Sequence, residues 1–242
     1  MTIQRTISAS AARKALSRRC GGAICDLKAL AREGPKPNNK AMSAVLPPDD
    51  QTPPSSLEWP SLAGRLLVAM PGIDDERFEH AVILVCTHDD DHAMGLRLDL
   101  PAPGVDLAFV LEKLNAPTHG AVGRPVLIGG PVEQERGFVL HTDDWFSEET
   151  SLRVTGGMAV TGTREALAAM GEITGPARST LVLGYAGWDE GQLEEELSEN
   201  VWLTMDADPS LIFDEAYDTK WQRALALLGI DAGRLSSQGG TA

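Results

Sequence analysis

Cysteine is scarce in this chain: three in 242 residues, at positions 20, 25 and 86. Three scattered thiols cannot build a disulfide framework, which predicts a reducing compartment, the cytoplasm. Long apolar runs are missing as well, and no segment approaches the ~20 residues of a membrane span. The N-terminus carries no apolar core of the secretion-signal kind. Aromatic residues are few, five Trp, two Tyr and five Phe. Positive charge is in short supply, with 21 Lys or Arg against 35 Asp or Glu and a net charge of −14. The shortage is uneven. Residues 1–40 hold nine basic and two acidic residues, and the remainder holds 12 and 33, a net −21. Nucleic-acid affinity is built largely from cationic contacts to phosphate, so the acidic body is a poor surface for DNA or RNA.

What is present divides into an extension and a body. Residues 1–57 are basic, then rich in proline, and are expected to be disordered; a start of translation at Met42 is the alternative account of the first 41. Residues 58–235 are expected to form a single domain, with a flexible tail at 236–242. A hydrophobic content of 43% supports a proper core. Apolar patterning predicts strands at 64–70, 81–87, 93–99, 125–129, 137–141, 151–155, 158–161 and 179–185. It predicts helices at 105–114, 163–171, 189–199 and 217–229. Leu107, Val110, Leu111 and Leu114 form an i, i+3, i+4, i+7 stripe, as do Trp221, Ala224, Leu225 and Leu228. Thr163 suits an N-cap. Runs of strands with unevenly spaced helices indicate α+β.

The most informative stretch is Leu181-Val182-Leu183-Gly184-Tyr185-Ala186-Gly187-Trp188 followed by Asp189-Glu190-Gly191-Gln192-Leu193-Glu194-Glu195-Glu196-Leu197. It predicts an apolar strand, a tight turn of small residues and an acidic amphipathic helix. Asp189 is placed to cap that helix, with Gln192 as the reciprocal half of a capping box. A glycine turn before a helix can bind phosphate. This one lacks the Lys and Ser/Thr of a P-loop, and Asp189 and Glu190 occupy the anion's place.

This stretch resembles the YqgE/AlgH family of bacterial proteins, and other segments agree in order. They are Leu66 to Pro71, Ala81 to His88, Ala93 to Leu96, Pro125 to Val132 with its Gly129-Gly130-Pro131 turn, Arg136 to Thr142, and Asn200 to Leu203 with Trp202. The resemblance covers about Leu62 to Ile230. It implies a mixed, partly split β-sheet surrounded by helices, and it brings no catalytic residues; one branch of the family carries the name of a transcriptional regulator. Family members usually have an aliphatic residue at Arg97, often Asn at Asp99, and commonly Ser at Gly187. Arg97 and Asp99 alternate with Leu96, Leu98 and Leu100, which predicts one wet strand face.

Four constellations carry candidate chemistry. Cys86, His88 and His92 combine thiolate and imidazole with Asp89 to Asp91, all ligand types that zinc accepts; strand alternation puts Cys86 and His88 on one face. The plain alternative is a hairpin with a solvated acidic tip, and no metal or cofactor is assigned. His141, followed by Asp143 and Asp144, has the elements of a base and its orienter, but no nucleophile elbow stands nearby. Gly129-Gly130-Pro131 permits close backbone approach and stops a ladder, and with Gly184 to Trp188 it is placed to wall a groove. Asp189, Glu190, Glu194 and Glu195 with Trp188 form a candidate acidic surface for a basic protein partner.

These features predict a cytoplasmic, non-enzymatic regulatory or protein-interaction module. The alternative is an enzyme or small-ligand binder with a pocket between the two glycine turns, involving His141, Tyr185 and Trp188. Direct DNA binding is the lesser alternative.

Overall fold

The computed structural model describes residues 61–231. The expected extension at 1–57, the tail at 236–242, and Cys20 and Cys25 lie outside the described residues.

Ten strands and five helices are present among the described residues. In chain order they are β1 (Arg65–Ala69), β2 (Val82–His88), β3 (His92–Arg97), β4 (Pro101–Asp106), α1 (Leu107–Lys113), β5 (Pro125–Ile128), β6 (Val132–Thr142), β7 (Ser151–Val154), β8 (Met158–Thr161), α2 (Arg164–Ala169), β9 (Ser179–Asp189), α3 (Gln192–Ser198), β10 (Trp202–Asp206), α4 (Pro209–Ile212) and α5 (Tyr217–Leu227). Asp106 caps α1 through the Phe109 amide, and Thr163 caps α2 through the Ala166 amide, satisfying backbone donors that a helix start leaves open.

The strands form one curled, mainly antiparallel sheet in the order β10-β1-β2-β3-β9-β6-β8-β7, with β5 joined to β9 and β4 to β5. The fold is mixed and dominated by its sheet. The expected ring of helices is not found: the helices are short, of 4 to 11 residues, and they cover parts of the sheet only.

β9 holds the two halves of the sheet together. Its first part, Ser179 to Tyr185, pairs antiparallel with β6, and its last part, Ala186 to Asp189, pairs with β3. β5 pairs parallel with Val182 and Leu183, the same residues β6 spans, and so occupies the opposite edge of β9.

The sheet is buried on both faces at β1 and β2, which explains their near-continuous apolar runs. Leu66, Val68 and Leu84 enter a core closed by Leu211 and Ile212 of α4 and Trp221, Ala224 and Leu225 of α5. Leu67, Ile83 and Val85 enter another with Trp188, Trp202 and Leu193 of α3. The β5–β6–β9 region packs against Leu107 and Leu111 of α1 and Ala166 of α2 in a third.

Two strands escape the sequence pattern. β4 contains Pro101 and Pro103, which argue against a strand; it pairs with β5 alone, with irregular register, and an edge tolerates proline. β10 has no clear alternation but closes onto β1 over five residue pairs.

Candidate functional site

The two glycine segments meet, but they leave no groove. Gly129 donates its N–H to the Leu183 carbonyl at 2.7 Å, and its own carbonyl accepts from Arg97 at 3.0 Å. A Cβ on Gly129 would lie 2.3 Å from the Gly184 oxygen, and one on Gly130 would lie 2.2 Å from the Tyr185 carbonyl carbon. Gly184, at φ +71°, likewise faces the Val132 oxygen. The segments pack backbone on backbone as a closed seam, so the pocket expected between them is filled.

The turn expected at Gly184 to Trp188 is strand. β9 runs on to Asp189 because β3 offers it a partner, with Gly187, Trp188 and Asp189 opposite Met94, Ala93 and His92. Glycine here serves close backbone approach rather than chain reversal. The helix start moves accordingly: Gly191, at φ +69°, is the N-cap of α3. Gln192 does accept from the Asp189 amide at 3.1 Å, so half of the expected capping box forms, on a residue two positions ahead of the Gly191 cap.

Trp188 and Tyr185 are each 2% exposed and belong to the core. The Trp188 indole N–H donates to Glu196 at 2.8 Å, and that of Trp202 donates to the same oxygen at 2.7 Å. Burial pushes the Tyr185 phenol up to about 12. The acids of α3 therefore split. Glu196 serves two tryptophans, and Glu194 holds the His88 Nε2 at 2.6 Å. Glu190 and Glu195 are exposed, as are Asp89, Asp90 and Asp91 at the tip of the β2–β3 hairpin. The pairing of His92 with Asp189 brings that tip beside the start of α3.

A bulge separates two of the metal candidates. The β2–β3 register shifts between Val85 and Thr87. Cys86 thus packs with Leu84, Met94 and Leu96, whereas His88 stands opposite Ala93 of the other core. Strand alternation alone predicts one face for both; the extra residue of the bulge reverses it. Burial pushes the Cys86 thiol up to about 12. His88 Nδ1 accepts the Leu62 N–H at 3.0 Å, so its Nε2 carries the proton toward Glu194 and neither nitrogen is left for a metal. His92 Nδ1 lies 2.9 Å from Asp89. Among the described residues no group of three His, Cys, Asp or Glu is arranged to hold a metal ion.

His141 is fully buried. Its Nδ1 faces the Thr142 carbonyl at 2.9 Å and its Nε2 faces the Thr161 hydroxyl at 2.9 Å. The Thr161 and Ser151 hydroxyls share a hydrogen bond at 2.7 Å, and Ser151 accepts from the Ser147 amide. Burial holds the His141 pKa below its ordinary value. The expected acidic orienter does not form: Asp144 takes the Thr142 hydroxyl and the Ala177 amide instead. A neutral imidazole sealed in a satisfied chain of hydroxyls is a structural element of the sheet, out of reach of a substrate.

Three features went unrecognised in the sequence. Arg97 is 7% exposed, so the wet strand face is absent. Its guanidinium makes a bidentate contact with Asp99 at 2.6 and 3.1 Å and donates to the Arg77 and Glu79 carbonyls, while Asp99 accepts the Val82 amide at 2.8 Å. Lys220 is fully buried, and its ammonium donates to the carbonyls of Leu211, Ile212 and Asp214 at 2.8 to 2.9 Å, closing the end of α4. Burial pushes its pKa down to about 8. Finally, a cleft of about 230 Å³ opens between the start of β9, the entry to β5 and the α4–α5 connection, with Arg124, Arg178, Ser179, Thr180, Phe213 and Tyr217 on its walls. These residues are scattered over the chain, and no local spacing announces them.

Residues 66–233 match the family model described as DUF179, AlgH-like. The chain is 54% identical over 183 residues to a UPF0301 protein of Caulobacter vibrioides, covering 75% of this chain and 94% of the relative. It is 48% identical over 183 residues to UPF0301 protein SPO0296 of Ruegeria pomeroyi, covering 75% and 99%. The fold is similar to the solution structure of the AlgH protein from Pseudomonas aeruginosa, with a TM-score of 0.61, 38% identity, and coverage of 79% of this chain and 100% of that one. It also resembles the crystal structure of protein DIP2367 from Corynebacterium diphtheriae, with a TM-score of 0.60, 20% identity, and coverage of 76% and 95%; that likeness concerns the fold alone. By sequence and by fold, the chain belongs to the AlgH-like (YqgE/AlgH, UPF0301) family.

Proposed function

We propose that this chain is a non-enzymatic regulatory module of the cytoplasm that receives a basic segment of a protein partner. The supporting observation is the pairing of His92 with Asp189. It brings the tip carrying Asp89, Asp90 and Asp91 beside Asp189 and the approach to α3, where Glu190 and Glu195 are exposed, while Glu194 and Glu196 turn inward to His88 and the tryptophans. Charges gathered on one surface steer encounter and select partners of opposite sign. The same charges repel a nucleic-acid backbone, which ranks direct DNA binding last. The scarcity of cysteine and the buried thiol of Cys86 support the cytoplasmic assignment.

The test is a native-lysate pull-down with the wild-type chain and with a triple variant, Asp90→Asn, Glu190→Gln and Glu195→Gln. A partner retained by the wild type at physiological salt should be released at high salt and missing from the variant. Equal retention on both proteins would assign the interaction to another surface. A second reading, a small-ligand binder, is favoured by one specific observation, the cleft at Arg124.

A further inference from the structure

The Arg124 cleft has the makings of a binding site that neither the acidic surface nor the glycine seam supplies. It combines a firm polar floor with an apolar wall. Arg124 stands just ahead of β5, and its carbonyl accepts the Leu107 amide at 2.8 Å, tying the loop to the start of α1. Its Nη2 donates to the carbonyl of Ser179 and, at 3.0 Å, to the Ser179 hydroxyl. The guanidinium is thereby fixed against the first residue of β9. Its Nε and Nη1 have no acceptor among the described residues, and five donors are available on an arginine in all. Arg178, one residue before β9, extends over the Phe213 ring with its guanidinium carbon 5.2 Å from the centroid.

Charge makes the cleft unusual. Arg65, Arg77, Arg97, Arg136, Arg153 and Arg223 each pair with a carboxylate. Among the described residues Arg124, Arg164 and Arg178 form no such pair; Arg164 donates to the Leu114 carbonyl away from the cleft lining, whereas Arg124 and Arg178 share one concavity, in a chain that carries 35 acids against 21 bases. Burial works against the Arg124 charge, and the nearby Glu215 offsets that only in part. An acidic protein has thus left two guanidinium groups without carboxylate partners on one concavity. Ser179, Thr180 and Tyr217 add hydroxyls, and Met170, Leu181 and Phe213 supply apolar contact. The volume of about 230 Å³ is below the ~300–1,000 Å³ of drug-sized sites, so the occupant is small.

We propose that the cleft formed by Arg124, Arg178 and Tyr217 binds a small organic anion, its carboxylate or phosphate group accepting from an open N–H of the Arg124 guanidinium and its apolar part against Phe213. An arginine N–H donates to a carboxylate or a phosphate oxygen alike. Arg178, stacked over Phe213, adds a second cation to the lining. Glu215, at the rim, disfavours ligands with a second negative charge on that side and suits those carrying an amine or hydroxyl there. The site is separate from the acidic surface, so either proposal can fail without the other.

The test is an NMR titration of the full chain with two probes, inorganic phosphate and benzoate, at ionic strength held constant with sodium chloride. Saturable amide shifts are expected at Arg124, Ser179, Thr180 and Tyr217. Arg124→Gln should weaken binding at least tenfold, and Arg178→Gln at least threefold. Arg77→Gln, whose guanidinium pairs with Asp75 and which is not part of the cleft lining, should leave it unchanged. Should Arg124→Gln disturb the fold through loss of the Ser179 tether, Arg178→Gln alone decides, since that side chain is exposed. Response to phosphate alone identifies a phosphoryl ligand, and response to benzoate alone a carboxylate with an apolar body; either supports the site. No saturable shifts in the cleft with either probe, shifts matched by chloride, or undiminished binding in the arginine variants would overturn it.

Discussion

Trp188 and Trp202 share one acceptor: both indole N–H groups end on the same carboxylate oxygen of Glu196, and the rings meet edge to face with centroids 6.1 Å apart. This contact joins the end of β9 to β10 through a residue of α3. Glu196→Ala leaves two largely buried donors without a partner. At about 1–3 kcal/mol for each such group, the variant should lose about 2–6 kcal/mol. Glu196→Gln keeps an acceptor oxygen and should lose less. Urea unfolding followed by tryptophan fluorescence measures both, and equal stability of wild type and the alanine variant would show that the shared bond contributes nothing.

The glycine seam predicts a steep dependence on a single methyl group. A Cβ on Gly130 would stand 2.2 Å from backbone atoms of Tyr185, and backbone in the middle of a sheet cannot yield as a side chain can. Gly130→Ala should cost more than about 3 kcal/mol or prevent folding, the range of severe overpacking. Gly120 is the control. It has φ +65°, and a Cβ added there would meet nothing within 4 Å, so Gly120→Ala should cost only the left-handed strain of about 1–2 kcal/mol. Matched melting temperatures for the two variants would contradict this account.

Arg97 and Asp99 form a buried pair with side-chain exposures of 9% and 7%. Removing one partner strands the other charge, at a cost of about 3–5 kcal/mol. Arg97→Leu alone should therefore be strongly destabilising. Arg97→Leu combined with Asp99→Asn should recover most of the loss, because Asn still accepts the Val82 amide and leaves no charge behind. A double-mutant cycle by chemical denaturation measures the coupling; additive losses would refute it.

His141 makes stability sensitive to mild acid. Burial lowers its folded pKa below the ordinary 6.5, so the unfolded chain takes up the proton first as pH falls. The contribution to stability is full above about pH 7 and is lost as pH drops through the unfolded value near 6.5 toward the lower folded one. Unfolding free energy measured from pH 8 to 5 should decline over this window, and His141→Gln should flatten the slope whatever its effect on stability at pH 8. An unchanged slope would place the sensitivity elsewhere.

Much of the fold was legible because it depends on short-range pattern. Apolar runs marked β1, β2 and β5, and the Thr163 cap and the α5 stripe marked their helices. The candidate site was legible only in part. The double glycine announced close approach, and the Asp189 to Glu195 stretch announced an acidic helix. Which carboxylates face water was not readable, since Glu194 and Glu196 are captured by His88, Trp188 and Trp202 from other elements. Gly184 and Gly187 looked like a turn because the partner that keeps β9 extended, β3, lies about ninety residues earlier.

By itself, the sequence determined the family, the acidic balance, and the order and type of most elements, because periodicity and charge are properties of residues near one another in the chain. Tertiary structure decided everything that depends on residues far apart. A single bulge after Val85 sends Cys86 and His88 to opposite cores. Partners up to twenty residues away turn Arg97 and His141 from apparent surface or catalytic groups into satisfied buried ones. The Arg124 cleft exists only where the entry to β5, the start of β9 and the α4–α5 connection meet. Burial and hydrogen-bond satisfaction are set by which segments come together, and no local pattern encodes that.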